Sequence, residues 1–363
     1  MQIQDYLTES QRKISENTQR VSDFKVFDFN FIPESPLMRE EIKPIVDSLL
    51  KYEKTNIPNN LVVYGSRGSG KTLSMQYLKK VLETKSELKI LYANCRNHNT
   101  SFKILAYFTG IKPRGTSLSE VFDRFSRQYS RKTVVVLDEI DLMSEKDRNK
   151  EILYLLSRHP NNYMLILLSN NPRFLEELDM STRSTLQPEV LLFKNYDALQ
   201  IYEILKERAL KGLKAFDLEA LHKISSLTYQ NTNSDIRVAI KTLLYLVTES
   251  QNGLDANFER ARRDIFIDLI QDLNDKNLLI LLALRVSGDG FVKSAYQEYL
   301  RLSAKHHEKP YSYVYFYNNL GYLQSLGLIV LLSAKVDRAY TNRARLLFNE
   351  RILEEVYQLR FNV

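Results

Sequence analysis

The sequence predicts an α/β nucleotide-binding domain built on a parallel sheet, then a small helical domain, then a C-terminal winged helix-turn-helix. Three observations carry this expectation. The stretch Leu61 to Thr72, LVVYGSRGSGKT, sets an apolar strand before a glycine-rich loop that closes on Lys71 and Thr72. Short, nearly continuous apolar runs then alternate with helical patterns as far as Phe193, as strands buried on both faces of a parallel sheet require. Beyond Tyr196 the strands stop, and only helical spacing is seen until two strand-like runs near the C-terminus.

Length and composition set the outer bounds. The chain has 363 residues, 44% of them hydrophobic and 26% charged, which is ordinary globular composition, and its length points to two or three domains. A net charge of +7 suits a polyanionic partner and equally a solvated basic surface. Cys95 is the only cysteine, so an internal disulfide is excluded and a reducing interior fits. No run reaches the roughly 20 apolar residues of a membrane span, since Leu278 to Leu284 stops at Arg285. The N-terminal stretch MQIQDYLTESQRK has no apolar signal core. A cytoplasmic protein without membrane association is expected.

Four segments follow in order. Residues 1–23 are polar and read as a flexible segment or a partner-dependent helix. Residues 24–195 form the nucleotide-binding domain, with a helix through Ser74 to Leu82 and a strand at Leu88 to Ala93 after the first strand. Helices within Ser101 to Tyr129, a strand at Thr133 to Leu137, a helix near Lys146 to Ser157, and strands at Tyr163 to Ser169 and Val190 to Phe193 complete it. Residues 196–270 form a helical domain with patterns at Tyr196 to Lys211, Asp217 to Ser226, Asp235 to Thr248 and Phe258 to Leu269. Residues 271–363 form the winged helix: helices at Asn277 to Val286, Lys293 to His306 and Tyr311 to Leu326, a hairpin within LIVLLSAKVDRAYTNRARLLFN, and a closing helix at Arg351 to Leu359.

The glycine loop is the chemical centre. Its spacing G-x-x-x-x-G-K-T, between strand and helix, turns backbone N–H groups toward one point, where a helix N-terminus adds partial positive charge. Gly65, Ser66, Arg67, Gly68, Ser69, Gly70, Lys71 and Thr72 are therefore expected to cradle the phosphates of ATP or ADP. Lys71 would meet the outer phosphates, and the Thr72 hydroxyl would hold Mg²⁺. The second element, VVVLDEIDLM, ends an apolar strand in Asp138 and Glu139 at the carboxyl edge of the sheet, where ligands of open α/β sheets bind. Asp138 suits Mg²⁺, and Glu139 suits polarising a water for attack on the γ-phosphate.

Three further residues carry two readings each. Asn170, at the end of LILLSNNP, either orients the water and touches the γ-phosphate or caps a turn. Arg237, in SDIRVAIKTLL, either reaches back to the phosphates or is a surface arginine. Arg183, in DMSTRSTLQPE, either serves a neighbouring subunit as a catalytic charge or is solvated.

The winged helix supplies a candidate surface for DNA. Ser312, Tyr313 and Tyr315 open the third helix, whose N-terminal half meets base edges in this motif, while Val314, Phe316, Leu320 and Leu323 are expected in the core. The wing carries Lys335, Arg338, Arg343 and Arg345 against a single Asp337, which suits phosphate or minor-groove contact. A protein-binding winged helix is the alternative, since fold does not fix function.

Taken in this order, GSRGSGKT, LDEIDLM, LLSNNP and SDIRVAI, with a winged helix at the end, resemble the archaeal replication-initiator branch of the AAA+ ATPases. That branch is related to eukaryotic origin-recognition-complex and cell-division-cycle initiator proteins. The segments FIPESPLMREEI, NIPNNLVVYG and IKPRGTSLSE add to the match, which extends over nearly the whole chain after about residue 24. The resemblance implies Lys71 and Thr72 as Walker A, Asp138 and Glu139 as Walker B, Asn170 as sensor 1 and Arg237 as sensor 2. It places Pro33 and Arg39 near the adenine. It also maps an initiator-specific insertion onto roughly Ser101 to Ser126, with Lys112, Pro113 and Arg114 as candidates for the DNA backbone and minor groove. It further implies slow ATP hydrolysis acting as a switch, double-stranded origin DNA, other initiator subunits and a replicative helicase as partners, and a cytoplasmic location on chromosomal DNA. The rival readings are a loader or remodeller whose winged helix grips protein, and a DNA-binding regulator with a structural nucleotide.

Overall fold

In a computed structural model the chain is described except at residues 1, 2, 5, 6, 8–10, 13–17, 113, 114, 131, 145, 146, 148, 250–252, 337, 338, 362 and 363, and except for the side chains of 334–336 and 339–341. It divides into two compact units. One, the sheet unit, takes in Glu34–Ser66 and Gly70–Lys194; the other, the helical unit, takes in Met1–Pro33, Arg67–Ser69 and Asn195–Val363.

The sheet unit begins with α1 (Ile42–Thr55), which ends on left-handed Asn56 before strand β1 (Leu61–Tyr64). Then come α2 (Lys71–Lys85), β2 (Lys89–Asn94), α3 (Ser101–Thr109), α4 (Leu118–Gln128), β3 (Thr133–Asp138), α5 (Glu151–Ser157), β4 (Met164–Ser169), α6 (Met180–Leu186) and β5 (Glu189–Leu192). All strand pairs are parallel, in the order β2-β3-β4-β1-β5. Alternation along the strands feeds two cores. Val62, Leu91, Val135, Leu137, Leu165 and Leu167 face the side of α3, α4 and α5, while Leu61, Val63, Ile90, Val134, Val136 and Ile166 face α1 and α2. The apolar runs are continuous because both faces are covered.

One local detail agrees with the sequence reading and one differs from it. The helices expected within Ser101 to Tyr129 are two, with Gly110 supplying the left-handed end of the first and a Ser117–Glu120 capping box starting the second. The helix expected from Lys146 begins at Glu151, because Lys150 adopts a left-handed conformation at its cap.

The helical unit contains a 3₁₀ turn at Phe24–Phe27, then α7 (Ala198–Gly212), α8 (Leu218–Asn231), α9 (Ile236–Thr248), α10 (Leu254–Gln271), α11 (Asp275–Ser287), α12 (Val292–Lys305), α13 (Tyr313–Ser325), the antiparallel pair β6 (Ile329–Val336) and β7 (Ala339–Leu346), and α14 (Glu350–Phe361). Asp235, Asn274 and Ser312 each accept a backbone N–H at the start of α9, α11 and α13, so the polar residues before these apolar runs are caps. Helices α11 to α13 with the β6–β7 wing form the winged helix. Its core, including Leu279, Leu281, Tyr299, Phe316, Leu320 and Leu353, is continuous with Val238, Phe258 and Ile265 of α9 and α10. Gly212 packs so closely on Val26 that no side chain fits there. Arg208, buried beside it, donates from Nη1 to the carbonyls of Val26 and Asp28 and lies over Phe31. The residues before Pro33 are thus tied to α7.

Candidate functional site

The carboxyl ends of β1, β3 and β4 lie side by side because Tyr64 pairs with Ser169 and Leu137 with Leu167. That register brings the glycine loop, Asp138 and Asn170 together at one edge. Gly68 and Gly70 hold φ of +75° and +91°, values that side-chain-bearing residues rarely adopt. The buried Lys71 donates from Nζ to Gly65 O at 2.8 Å, to Ser66 O at 2.9 Å and to Asn170 Oδ1 at 2.9 Å. Thr72 Oγ1 donates to Asp138 Oδ2 at 2.7 Å. The hydroxyl and carboxylate oxygens are of the kind that would hold a small hard cation, and the ammonium beside them would suit phosphate oxygens.

Asp138 is 2% exposed. Burial pushes its carboxyl up, and the hydroxyls of Tyr92 and Thr72 work against that by donating to the charged form. The Tyr92 hydroxyl, on β2, donates to Asp138 Oδ2. Glu139 stands next along the chain in a left-handed conformation, φ +52°, which costs an ordinary residue about 1 kcal/mol or more. Its Oε2 accepts from Arg96 Nε at 3.2 Å and Asn94 Nδ2 at 3.3 Å. Two positions further, Asp141 Oδ1 accepts from Ser169 Oγ at 2.8 Å and from the backbone N–H of Asn170 at 3.0 Å.

Residues 67–69 at the loop tip count with the helical unit. There Gly68 lies against Asp235, leaving no room for a Cβ, and Arg67 pairs with Asp272 at 3.4 Å. Arg237 is engaged by that same Asp235, with Nε at 2.9 Å from Oδ1. Asp235 therefore both caps α9 and fixes the arginine.

Other expected site residues fall as follows. Arg39 is buried, donates from Nη2 to Lys194 O at 2.7 Å, pairs with Glu41 and lies over the Phe193 ring at 4.9 Å, so it latches the exit of β5. Pro33 is buried in the helical unit. Arg183 is exposed on α6. Lys112 is exposed in the loop after α3, whereas Pro113 and Arg114 lie outside the described residues.

On the winged helix, Ser312 is the cap of α13, its Oγ accepting from Tyr315 N at 3.3 Å. Tyr313 and Tyr315 are 44% and 48% exposed. Val314, expected in the core, is 69% exposed. The correction follows from helical spacing: Phe316, Leu320 and Leu323 share one face, and a residue two before Phe316 lies about 200° away from it. On β7, Arg343 and Arg345 are both exposed, and the Arg343 guanidinium lies 4.1 Å from the centre of the Phe291 ring. The Lys335 side chain and Arg338 lie outside what is described.

Sequence reasoning did not find Tyr92, Asn94, Arg96, Asp141 or Ser169. For Tyr92 and Asn94 a signal existed, two polar-tipped residues in the second half of the strand KILYAN that neighbours VVVLD.

A glycine loop, an Asp138–Glu139 pair and Asn170 thus meet at the edge of a five-stranded parallel sheet, and a family model described as an AAA domain matches residues 57–177. The chain is also similar to ORC1-type DNA replication proteins. It is 28% identical over 307 residues to the ORC1-type DNA replication protein 1 of Sulfolobus acidocaldarius, covering 76% of this chain and 77% of that one. With the ORC1-type DNA replication protein 1 of Sulfurisphaera tokodaii it shares 32% over 196 residues, 50% of this chain and 49% of that one. Among solved structures it resembles the Aeropyrum pernix ORC1 protein in complex with DNA, with a TM-score of 0.65 at 22% identity over 94% of this chain and 97% of that one. The ADPNP-ADP complexes of Aeropyrum pernix ORC2 give a TM-score of 0.57 at 21% identity, covering 95% and 100%.

Proposed function

We propose that this chain is an ATP-dependent DNA-binding replication initiator. The observation that carries the reading is the pairing, in one chain, of the Lys71–Thr72–Asp138 constellation with a winged helix whose exposed residues include Tyr313, Tyr315, Arg343 and Arg345. The names of its relatives support the replication role, and the Aeropyrum pernix ORC1 protein, similar in fold, is described in complex with DNA.

The backbone of residues 65–70 and Lys71 would hold the phosphates of a nucleotide, and Thr72 and Asp138 would hold Mg²⁺. When bound, Mg²⁺ supplies charge that offsets that of the phosphates. Glu139 takes the proton of an attacking water, Asn170 orients that water, and Arg237 contributes charge from α9 once it leaves Asp235. Arg183 on exposed α6 is the candidate to act on a neighbouring subunit. Hydrolysis is slow and serves as a switch. Duplex DNA is held through α13, the wing, and Lys112 with Arg114 of the insertion, in a cytoplasmic, chromosome-bound complex that recruits or loads the replicative helicase.

The test is duplex DNA binding by the full chain across a salt series, with wild type and Lys71→Ala. Affinity that falls steeply with salt, as phosphate contacts require, and that responds to ATP only in wild type supports the reading. Binding no better than that of a neutral control protein would sink it.

A further inference from the structure

Asp141 lies in the short 3₁₀ turn Ile140–Leu142 that follows β3 and Glu139. The residue is half-buried, and its two carboxylate oxygens differ. Oδ1 accepts from the Ser169 hydroxyl at 2.8 Å and the Asn170 N–H at 3.0 Å, whereas Oδ2 is buried with no hydrogen-bond partner among the described residues. Leaving a buried carboxylate oxygen unpaired is costly, so this side chain is placed where packing alone would favour an apolar one.

What it holds is the end of β4. Ser169 is fully buried and its Oγ also accepts from Asn171 N at 2.9 Å. Asn170, 6% exposed, presents its amide oxygen to Lys71 Nζ at 2.9 Å. The turn that follows Asp138 and Glu139 is thereby bound to the residue after β4.

We propose that Asp141 is a positioning residue for ATP hydrolysis: accepting through Oδ1 from Ser169 and Asn170, it fixes the Asn170 amide relative to Glu139 and Lys71. The role rests on the reading of Asn170 as the residue that orients the attacking water. Since only Oδ1 is used, the acceptor matters and the charge does not. Asparagine retains such an acceptor; alanine removes it.

The test is single-turnover and steady-state ATP hydrolysis by the full chain, with fluorescent-ADP titration, for Asp141→Ala, Asp141→Asn, Ser169→Ala, Asn170→Ala and the Asp141→Ala/Asn170→Ala double variant. Asp141→Ala is expected to lower kcat by about tenfold or more, with KM and ADP affinity within about twofold, since misplacement of a reacting group acts on the chemical step. Asp141→Asn stays within about threefold of wild type, Ser169→Ala loses about threefold, and the double variant is no slower than Asn170→Ala, as for residues acting as one unit. The proposal is overturned if Asp141→Asn is as slow as Asp141→Ala, if only KM changes, or if the double variant multiplies the two losses. Should Asp141→Ala not fold, an unchanged kcat in Ser169→Ala overturns it. If Asn170→Ala slows hydrolysis and Asp141→Ala does not, only this proposal falls; if Asn170→Ala is fully active, the reading of Asn170 falls with it.

Discussion

Tyr92 donates its phenolic hydroxyl to Asp138 Oδ2 at 2.6 Å, the same oxygen that accepts from Thr72. Burial and then the neighbouring Asp138 carboxylate push the phenol far above its usual range, so Tyr92 remains a donor at every working pH. It keeps the Asp138 carboxylate oriented whether or not the Thr72 hydroxyl turns to a cation. Tyr92→Phe is expected to raise the Mg²⁺ concentration needed for half-maximal hydrolysis by about three- to tenfold, the loss of one hydrogen bond to a charged group. Thermal stability should change little. Mg²⁺ titrations of hydrolysis check this, and an unchanged midpoint would show that Tyr92 only packs.

Glu139 is held by Arg96 and Asn94 through one carboxylate oxygen. A base so engaged must exchange these donors for water before it can take a proton. Arg96→Ala and Asn94→Ala are each expected to raise basal hydrolysis about two- to fivefold, and Glu139→Gln in either background to abolish the gain. Initial-rate assays without DNA read the effect; a fall in rate would mean that the two donors orient the base productively.

Arg343 and Arg345 are two strand positions apart and so share a face of the wing. If they meet phosphates, replacing both with alanine removes about two units from the salt slope of duplex binding. Nucleotide affinity should not move. Fluorescence anisotropy from low to moderate salt is the measurement, and an unchanged slope would place DNA contact elsewhere.

Arg208 is 5% exposed and donates to the carbonyls of Val26 and Asp28. Burial lowers its guanidinium to about 10, which leaves it charged at neutral pH. Arg208→Leu keeps the apolar stem but takes the donor from the Val26 carbonyl, while the Asp28 carbonyl keeps the N–H of Phe31 at 3.2 Å, and is expected to cost about 1–3 kcal/mol. Chemical denaturation followed by circular dichroism measures it.

Elements and chemistry were unequally legible. The strands after Leu61, Thr133 and Tyr163 were plain because a sheet covered on both faces writes itself as uninterrupted aliphatic runs. Lys71 and Thr72 stand out because a glycine loop closing on Lys-Thr between strand and helix is a local pattern, and Asp138 because it ends an uninterrupted apolar strand. Tyr92, Arg96 and Asp141 were not, since each acts on a residue brought near by strand register, and no local spacing records that. Val314 was misread because the inward face of α13 depends on which turn starts the helix, and Ser312, read as a groove residue, is the cap that starts it. The latch made by Arg39 across to Lys194 was beyond reach for the same reason: its partner is distant in sequence.

The Arg343 guanidinium on the Phe291 ring has a thermodynamic consequence. A free arginine side chain carries about 2 kcal/mol of rotamer entropy at room temperature. Stacking restrains Arg343 when the wing folds, so an anion meeting it finds a side chain with less freedom left to lose. Its contact should therefore carry a smaller entropic penalty than an unstacked arginine would, visible by calorimetry as a less unfavourable binding entropy for wild type than for Phe291→Ala.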